Sequence, residues 1–200
     1  MALTPAWRRA RNLLAVRLDS MGDVLMTSPA LAALKRGTPG GRLTLLTSAA
    51  GAEAARRIDA VDETLVYAAP WVGAATAPGD PQADRAFIDA LAARRFDAAV
   101  IFTVCTQSAL PAALACRLAG IPLRLAHARE NPCALLTDWV PERDVRLATA
   151  RHEVAIVPIG PVRVLIEQAV HSIDAHPHDI RFLAGDAGRL HETAAEELTV

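Results

Sequence analysis

The chain has 200 residues, 52% of them apolar and 4% aromatic, with a formal net charge of −1. That length makes one domain, or one domain with part of a second, and it buries a core without disulfide or metal staples. The near-zero charge excludes a general electrostatic grip on nucleic acid, and no apolar run nears the ~18 residues of a membrane span.

The N-terminal Arg8, Arg9 and Arg11 followed by Leu13-Leu14-Ala15-Val16 imitate the start of a signal peptide. The apolar run is too short for one, Arg17 and Asp19 end it, and no small-residue cleavage site follows. A cytoplasmic location is therefore expected, with a peripheral membrane contact through these arginines. Cys105, Cys116 and Cys133 form no C-x-x-C pair and are expected to be reduced and mostly buried.

Residues 13–18 are a short apolar run bounded by turn chemistry, which predicts a buried strand. Val24, Leu25, Ser28, Leu31 and Leu34 then recur at intervals of three and four, the face of a helix. Pro29 leaves two starts for that helix: near Asp23 with a kink at the proline, or at Ser28 as N-cap. The early start is preferred because Val24 and Leu25 continue the face. Thr38-Pro39-Gly40-Gly41 stops it. Residues 42–47 and 63–67 are predicted as strands around a short helix at 49–57.

Residues 68–82, with three prolines, two glycines and Trp71, make a loop long enough to be a binding loop or lid. An amphipathic helix over 84–94 carries Phe87, Ile88 and Leu91 on one side. Residues 98–102 are the best strand in the chain, and a polar turn over 103–107 follows. Ser108 can cap a helix over 109–118, and 123–126 is a fifth strand. Strands alternating with helices mean βαβ units and a parallel sheet, so the fold class is α/β with helices flanking the sheet. After Glu153 the composition shifts: residues 1–153 carry 18 basic and 15 acidic side chains, residues 154–200 carry 3 and 7.

The turn Asp19-Ser20-Met21-Gly22-Asp23 joins the first strand to the first helix, where ligands collect in open α/β sheets. It lacks G-x-G-x-x-G, and the chain has no G-x-x-x-x-G-K-[ST], G-x-S-x-G or H-E-x-x-H. A glycine that admits a ligand to the backbone remains, with carboxylates beside it. Either aspartate can serve as a general base or simply cap the helix. His171, His176 and His178 suit a surface better than a metal site, since Pro177 breaks helical pairing and no cysteine lies near. Trp71 and Trp139 suit either stacking on a sugar or plugging the core. Arg129 and Glu130 suit either a clamp on phosphate or sugar hydroxyls, or a surface ion pair.

Val16-Arg17-Leu18-Asp19-Ser20-Met21-Gly22-Asp23-Val24-Leu25-Met26-Thr27-Ser28-Pro29-Ala30-Leu31 resembles the opening of glycosyltransferase family 9, the ADP-heptose:lipopolysaccharide heptosyltransferases. That family's pattern is V-[KR]-x-[SD]-S-[ML]-G-D-V-x-x-T-x-P-A-L. The resemblance continues through residues 42–47, 96–101 and Arg129-Glu130-Asn131-Pro132, and it ends near Arg151-His152-Glu153-Val154. It implies a GT-B fold of two Rossmann-like halves. The N-terminal half would hold a lipopolysaccharide-core acceptor and the C-terminal half ADP-heptose. Transfer would be inverting and metal-independent, at the inner face of the inner membrane.

The family's proposed base matches Asp23, and Ser20, Gly22, Thr106, Gln107, Arg129, Glu130 and Asn131 are the candidate substrate-binding residues. Residues 1–153 are then the Rossmann-like acceptor-side domain and 154–200 a divergent tail. Family members exceed 300 residues, and the donor-binding lysine and phosphate contacts have no matching positions here. The expectation is an acceptor half lacking its donor half, inactive alone and completed by a separate C-terminal half. The alternative is a non-catalytic single Rossmann-like domain that binds a saccharide or nucleotide, or pairs with another chain. An oxidoreductase ranks third, because the glycine fingerprint is missing.

Overall fold

The computed structural model describes residues 4–73, 79–103 and 107–141. Thr106, Cys105, the 151–154 motif and the 154–200 tail with its histidines lie outside the described residues. The elements in order are α1 (Pro5–Arg9), β1 (Asn12–Arg17), α2 (Met21–Arg36), β2 (Arg42–Thr47), α3 (Ala49–Ala55) and β3 (Glu63–Val66). They continue with α4 (Pro81–Ala93), β4 (Ala98–Ile101), α5 (Leu110–Leu118), β5 (Leu123–Ala128) and β6 (Asp138–Pro141).

The six strands form one sheet in the order β3-β2-β1-β4-β5-β6, and every pair is parallel. This is the doubly wound Rossmann order, in which the winding reverses between β1 and β4. Side chains alternate across each strand and sort the core into two faces. Leu13, Ala15, Leu43, Leu45, Ala98 and Val100 pack against Val24, Leu31 and Leu34 of α2 and Ala54 and Ala55 of α3. Leu14, Val16, Leu46, Ala99 and Ile101 pack against Leu91 of α4 and Ala112, Ala113 and Cys116 of α5. The result is three layers, with helices on both faces of a sheet whose central strands are largely apolar, Arg17 at the end of β1 being the buried exception.

The early start of the first helix holds. Ser20 is the N-cap, its Oγ accepts from the Asp23 N–H at 3.3 Å, and Pro29 sits inside the helix. Two elements escape the sequence reading. α1 spans five residues and is anchored by Trp7, whose indole N–H donates to buried Asp138 at 2.7 Å. β6 carries an aspartate, a tryptophan and a proline, none of which advertises a strand, and Pro141 is tolerated because β6 is an edge. α4 starts at Pro81, earlier than the apolar periodicity indicates, because the Asp80 side chain caps it by accepting from Gln82 N–H.

Ser108 acts one residue earlier than a formal cap: its Oγ accepts from Leu110 N–H at 3.1 Å, while Ala109 occupies the N-cap position. Of the described cysteines, Cys116 is buried, and burial pushes its thiol up to about 12. Cys133 is exposed, against the expectation of a buried thiol, because it sits in a turn at φ 49°.

α3 approaches β2 and α2 so closely that Gly51 leaves no room for a side chain. An added Cβ would lie 2.0 Å from Thr47 Oγ1 and 2.8 Å from Val24 Cγ2. Gly51→Ala is therefore expected to destabilise the fold by about 1–3 kcal/mol through overpacking, despite alanine's better helix propensity. Denaturant unfolding checks it, and a neutral or stabilising change would contradict the close contact.

Candidate functional site at the carboxyl edge of the sheet

β1 ends at Arg17, which falls on the same alternation as Leu13 and Ala15 and so points toward α2. Its side chain is fully buried, unusual for an arginine without partners. Partners are supplied by the turn that follows. Arg17 Nη2 donates to Asp23 Oδ1 at 2.9 Å, and Arg17 Nε lies 3.1 Å from Asp19 Oδ2. One guanidinium thus bridges the two carboxylates, which the sequence had left as rival base candidates.

The two aspartates are held differently. Asp23 is in the first turn of α2 and completes a capping box, with its Oδ2 accepting from Ser20 N–H at 3.0 Å and Ser20 Oγ–H at 2.6 Å. Its side chain stays 25% exposed. Partial burial raises its pKa, but the hydrogen bonds from Ser20 and the Arg17 charge outweigh that and hold it below the usual carboxylate range. Asp19 is only 6% exposed, and neither oxygen accepts an aligned hydrogen bond from a described residue. Its contact with Arg17 is an ion pair without hydrogen-bond geometry. Burial raises its pKa, and the opposing pull of Arg17 and Gln107 is too weak to cancel this.

The signs give opposite pH behaviour. Asp23, with a lowered folded pKa, contributes stability above about 3.8 that is lost as pH falls through its folded value. Asp19, with a raised folded pKa, favours the fold below 3.8, and that advantage is lost as pH rises through its folded value. Relative to wild type, Asp19→Asn is therefore expected to gain stability as pH rises from acid to neutral, and Asp23→Asn to lose it. Melting temperatures across that range check both slopes, and parallel slopes would contradict the different settings of the two groups.

Two cavities open at this edge. A small one of about 200 Å³ is lined by Asp19, Trp71, Phe102, Gln107, Ser108 and Pro111 among others. A wider cleft of about 810 Å³ is lined by Asp19, Ser20, Asp23, Ser48, Tyr67 and Gln107 among others. Asp19 and Gln107 border both. Tyr67 stacks on Phe87 with ring centroids 3.7 Å apart, and its hydroxyl donates to Asp84, which stiffens the wall of the wider cleft. The cavities lie where the sheet reverses between β1 and β4, the position at which such sheets bind ligands.

The structure thus brings Ser20, Asp23 and Gln107 together. Gly22 lies in the first turn of α2, where an added Cβ would meet only Ser20 Oγ at 3.7 Å, so the chain itself does not require glycine there. Arg129, Glu130 and Asn131 line neither cavity. Glu130 accepts from Ser108 Oγ–H, a contact that with Arg129 holds its carboxyl below the usual range, and so reaches the rim of the small cavity through Ser108. Asn131 accepts from Cys133 N–H at 2.9 Å and shapes the turn. Trp139 donates to Ala128 carbonyl at 2.8 Å, both Trp139 and Trp71 pack against the core, and Trp71 also lines the small cavity.

Arg17 is the member of the site that sequence reasoning missed. An arginine after an apolar run reads as the end of a strand, yet its period-two alignment with Leu13 and Ala15 marks it as inward-facing. Among the described residues no three His, Cys, Asp or Glu side chains converge to hold a metal ion, and no helix is long and apolar enough to cross a membrane.

No protein-family model and no curated protein matches the sequence. Solved structures do match. E. coli ADP-heptose lps heptosyltransferase II superposes with a TM-score of 0.52 at 20% identity, over 66% of this chain and 35% of that one. A family 9 glycosyl transferase from Veillonella parvula gives 0.52 at 12% identity, over 82% and 40%. E. coli heptosyltransferase WaaC with ADP-2-deoxy-2-fluoro heptose gives 0.50 at 22% identity, over 80% and 48%. The chain spans less than half the length of each of these structures. At such identities the likeness speaks to architecture. The likeness is one of fold: the chain shares with these glycosyltransferase structures a parallel, Rossmann-like sheet flanked by helices.

Proposed function

We propose that the chain is the acceptor-side part of an inverting, heptosyltransferase-like glycosyltransferase, with a lipopolysaccharide-core saccharide as acceptor and a nucleotide-sugar, ADP-heptose, as donor. The observation that carries the reading is Asp23, lining the wider cleft and anchored by hydrogen bonds to Arg17 and Ser20. In this role Asp23 takes the proton of an acceptor hydroxyl as that oxygen bonds to the anomeric carbon. The nucleoside diphosphate leaves with the electron pair of the broken bond. Its low pKa keeps it ionised at neutral pH, and its rigid anchoring fixes the geometry of proton transfer.

Ser20 and Gln107 flank the acceptor in the cleft, and the backbone at Gly22 stands open beside it. Arg129, Glu130 and Asn131 would meet an acceptor extending past Ser108. The reading assigns the donor to a C-terminal half, the work to the cytoplasm at the inner membrane face, and the chemistry to a mechanism without a metal. One observation favours the non-catalytic alternative: both Asp23 oxygens already serve the capping box and Arg17.

A thermal-shift panel separates these readings, since a ligand that binds only the folded state raises the melting temperature. A heptose-containing core oligosaccharide is expected to raise it, whereas NADH is not. A shift with NADH or ADP but none with the oligosaccharide would overturn the acceptor-side assignment.

A further inference from the structure

Among the described residues, the carboxylate of Asp19 meets Arg17 as an ion pair at 3.1 Å and the side chain of Gln107. Helix α2 is capped by Ser20 and Asp23 without it, and Arg17 already has a hydrogen-bonded partner in Asp23. Asp19 is more than nine-tenths buried, both its oxygens lack an aligned hydrogen bond among the described residues, and it lies on the wall common to both cavities. A buried acceptor left in this state is costly, and natural structures keep few of them without a use.

The small cavity indicates that use. At about 200 Å³ it falls below the about 300–1,000 Å³ of pockets for larger ligands, so it admits a single ring rather than a nucleotide. Its lining residues include Trp71, Asp19, Gln107 and Ser108, the last with its hydroxyl already bonded to Glu130 and Leu110. An aromatic face beside convergent polar groups suits a polyhydroxylated ring, whose C–H face packs on the indole while its hydroxyls seek acceptors.

Building on the acceptor reading above, we propose that Asp19 is a substrate-binding residue, distinct from the base Asp23. Its carboxylate accepts a hydrogen bond from a hydroxyl of one sugar ring seated in the small cavity between Trp71 and Gln107. Arg17, shared between the two carboxylates, opposes the effect of burial on Asp19 and fixes its position relative to Asp23. A ring lacking that hydroxyl would leave the buried carboxylate without this hydrogen bond, so Asp19 also selects which saccharides enter.

Calorimetric titration of the full chain with a heptose-containing core oligosaccharide tests this. Asp19→Asn, which keeps the shape but loses the charge, is expected to weaken binding about tenfold to a hundredfold, the worth of a hydrogen bond to a charged group. Wild-type affinity should also fall on acidification as Asp19 is protonated, while the Asp19→Asn profile stays flatter. The charged groups recorded acting on Asp19 are Arg17 from β1 and Asp23 from α2, with Gln107 a neutral contributor. Asp23, with its lowered pKa, titrates at more acidic pH and is resolved from Asp19 in the profile.

Unchanged affinity and an unchanged pH profile in Asp19→Asn would overturn the role of Asp19 and leave the acceptor reading standing. Absence of oligosaccharide binding by the wild type would overturn both. Should Asp19→Asn fail to fold, Trp71→Ala and Gln107→Ala probe the same cavity from the loop side, and full affinity in both would equally overturn the proposal.

Discussion

Replacing Arg17 by methionine is expected to cost about 3–5 kcal/mol of unfolding free energy at neutral pH, as removal of one member of a buried ion cluster does. The side chain is fully buried and, among the described residues, carries the only positive charge in an ion pair with Asp19 or Asp23. Methionine fills much of the volume, so the loss measures uncompensated negative charge rather than a cavity. Asp19, at 6% exposure, then has no counter-ion and escapes only by taking a proton. The deficit should therefore shrink in mildly acidic medium, and Asp19→Asn added to Arg17→Met should recover part of it. Denaturant titrations at neutral and mildly acidic pH check both points. A loss below about 1 kcal/mol, the range of an exposed pair, would show that the cluster does not hold the turn.

The second large effect falls on turnover. In an assembly that transfers sugar and contains this chain, Asp23→Asn is expected to lower kcat about 10²–10⁴-fold, the usual worth of a general base. The substitution also weakens the capping box, for which about 1 kcal/mol is typical, and places an uncharged amide against Arg17. A purely structural role would therefore appear as a lower melting temperature with turnover intact below that temperature. Steady-state kinetics at a temperature where both proteins are folded distinguish the two. Unchanged kcat would leave Asp23 a cap alone.

Most of the sheet was legible because its strands are continuous apolar runs separated by amphipathic or alanine-rich helices, the pattern that burial on both faces imposes. Helix α2 was placed on the correct side of the Pro29 ambiguity because Val24 continues its apolar face, and Val24 is fully buried. β6 and α1 were not legible. They are tied down by Trp7 and Asp138, a hydrogen bond across 131 positions of chain that local pattern does not contain.

At the site, the residues alone offered two aspartates without separating their duties, and the resemblance to glycosyltransferase family 9 singled out Asp23 and Ser20. What separates them is their surroundings: Asp23 meets Ser20 and Arg17 at a half-open helix start, while Asp19 is buried beside Arg17 and lines the small cavity with Gln107. Gly51 went unremarked because its reason lies in Thr47 and Val24, residues of two other elements.

Amide chemical-shift mapping of the labelled chain during addition of a heptose-containing core oligosaccharide tests most directly whether this edge of the sheet is the saccharide site. The perturbed amides are expected to cluster at Leu18, Asp19, Ser20 and Asp23, at Trp71 and Val72, and at Gln107 and Ser108, the residues that line the two cavities. Perturbations confined to the opposite, amino-terminal edge around Asn12, Arg42 and Asp97, or no perturbation at all, would contradict it.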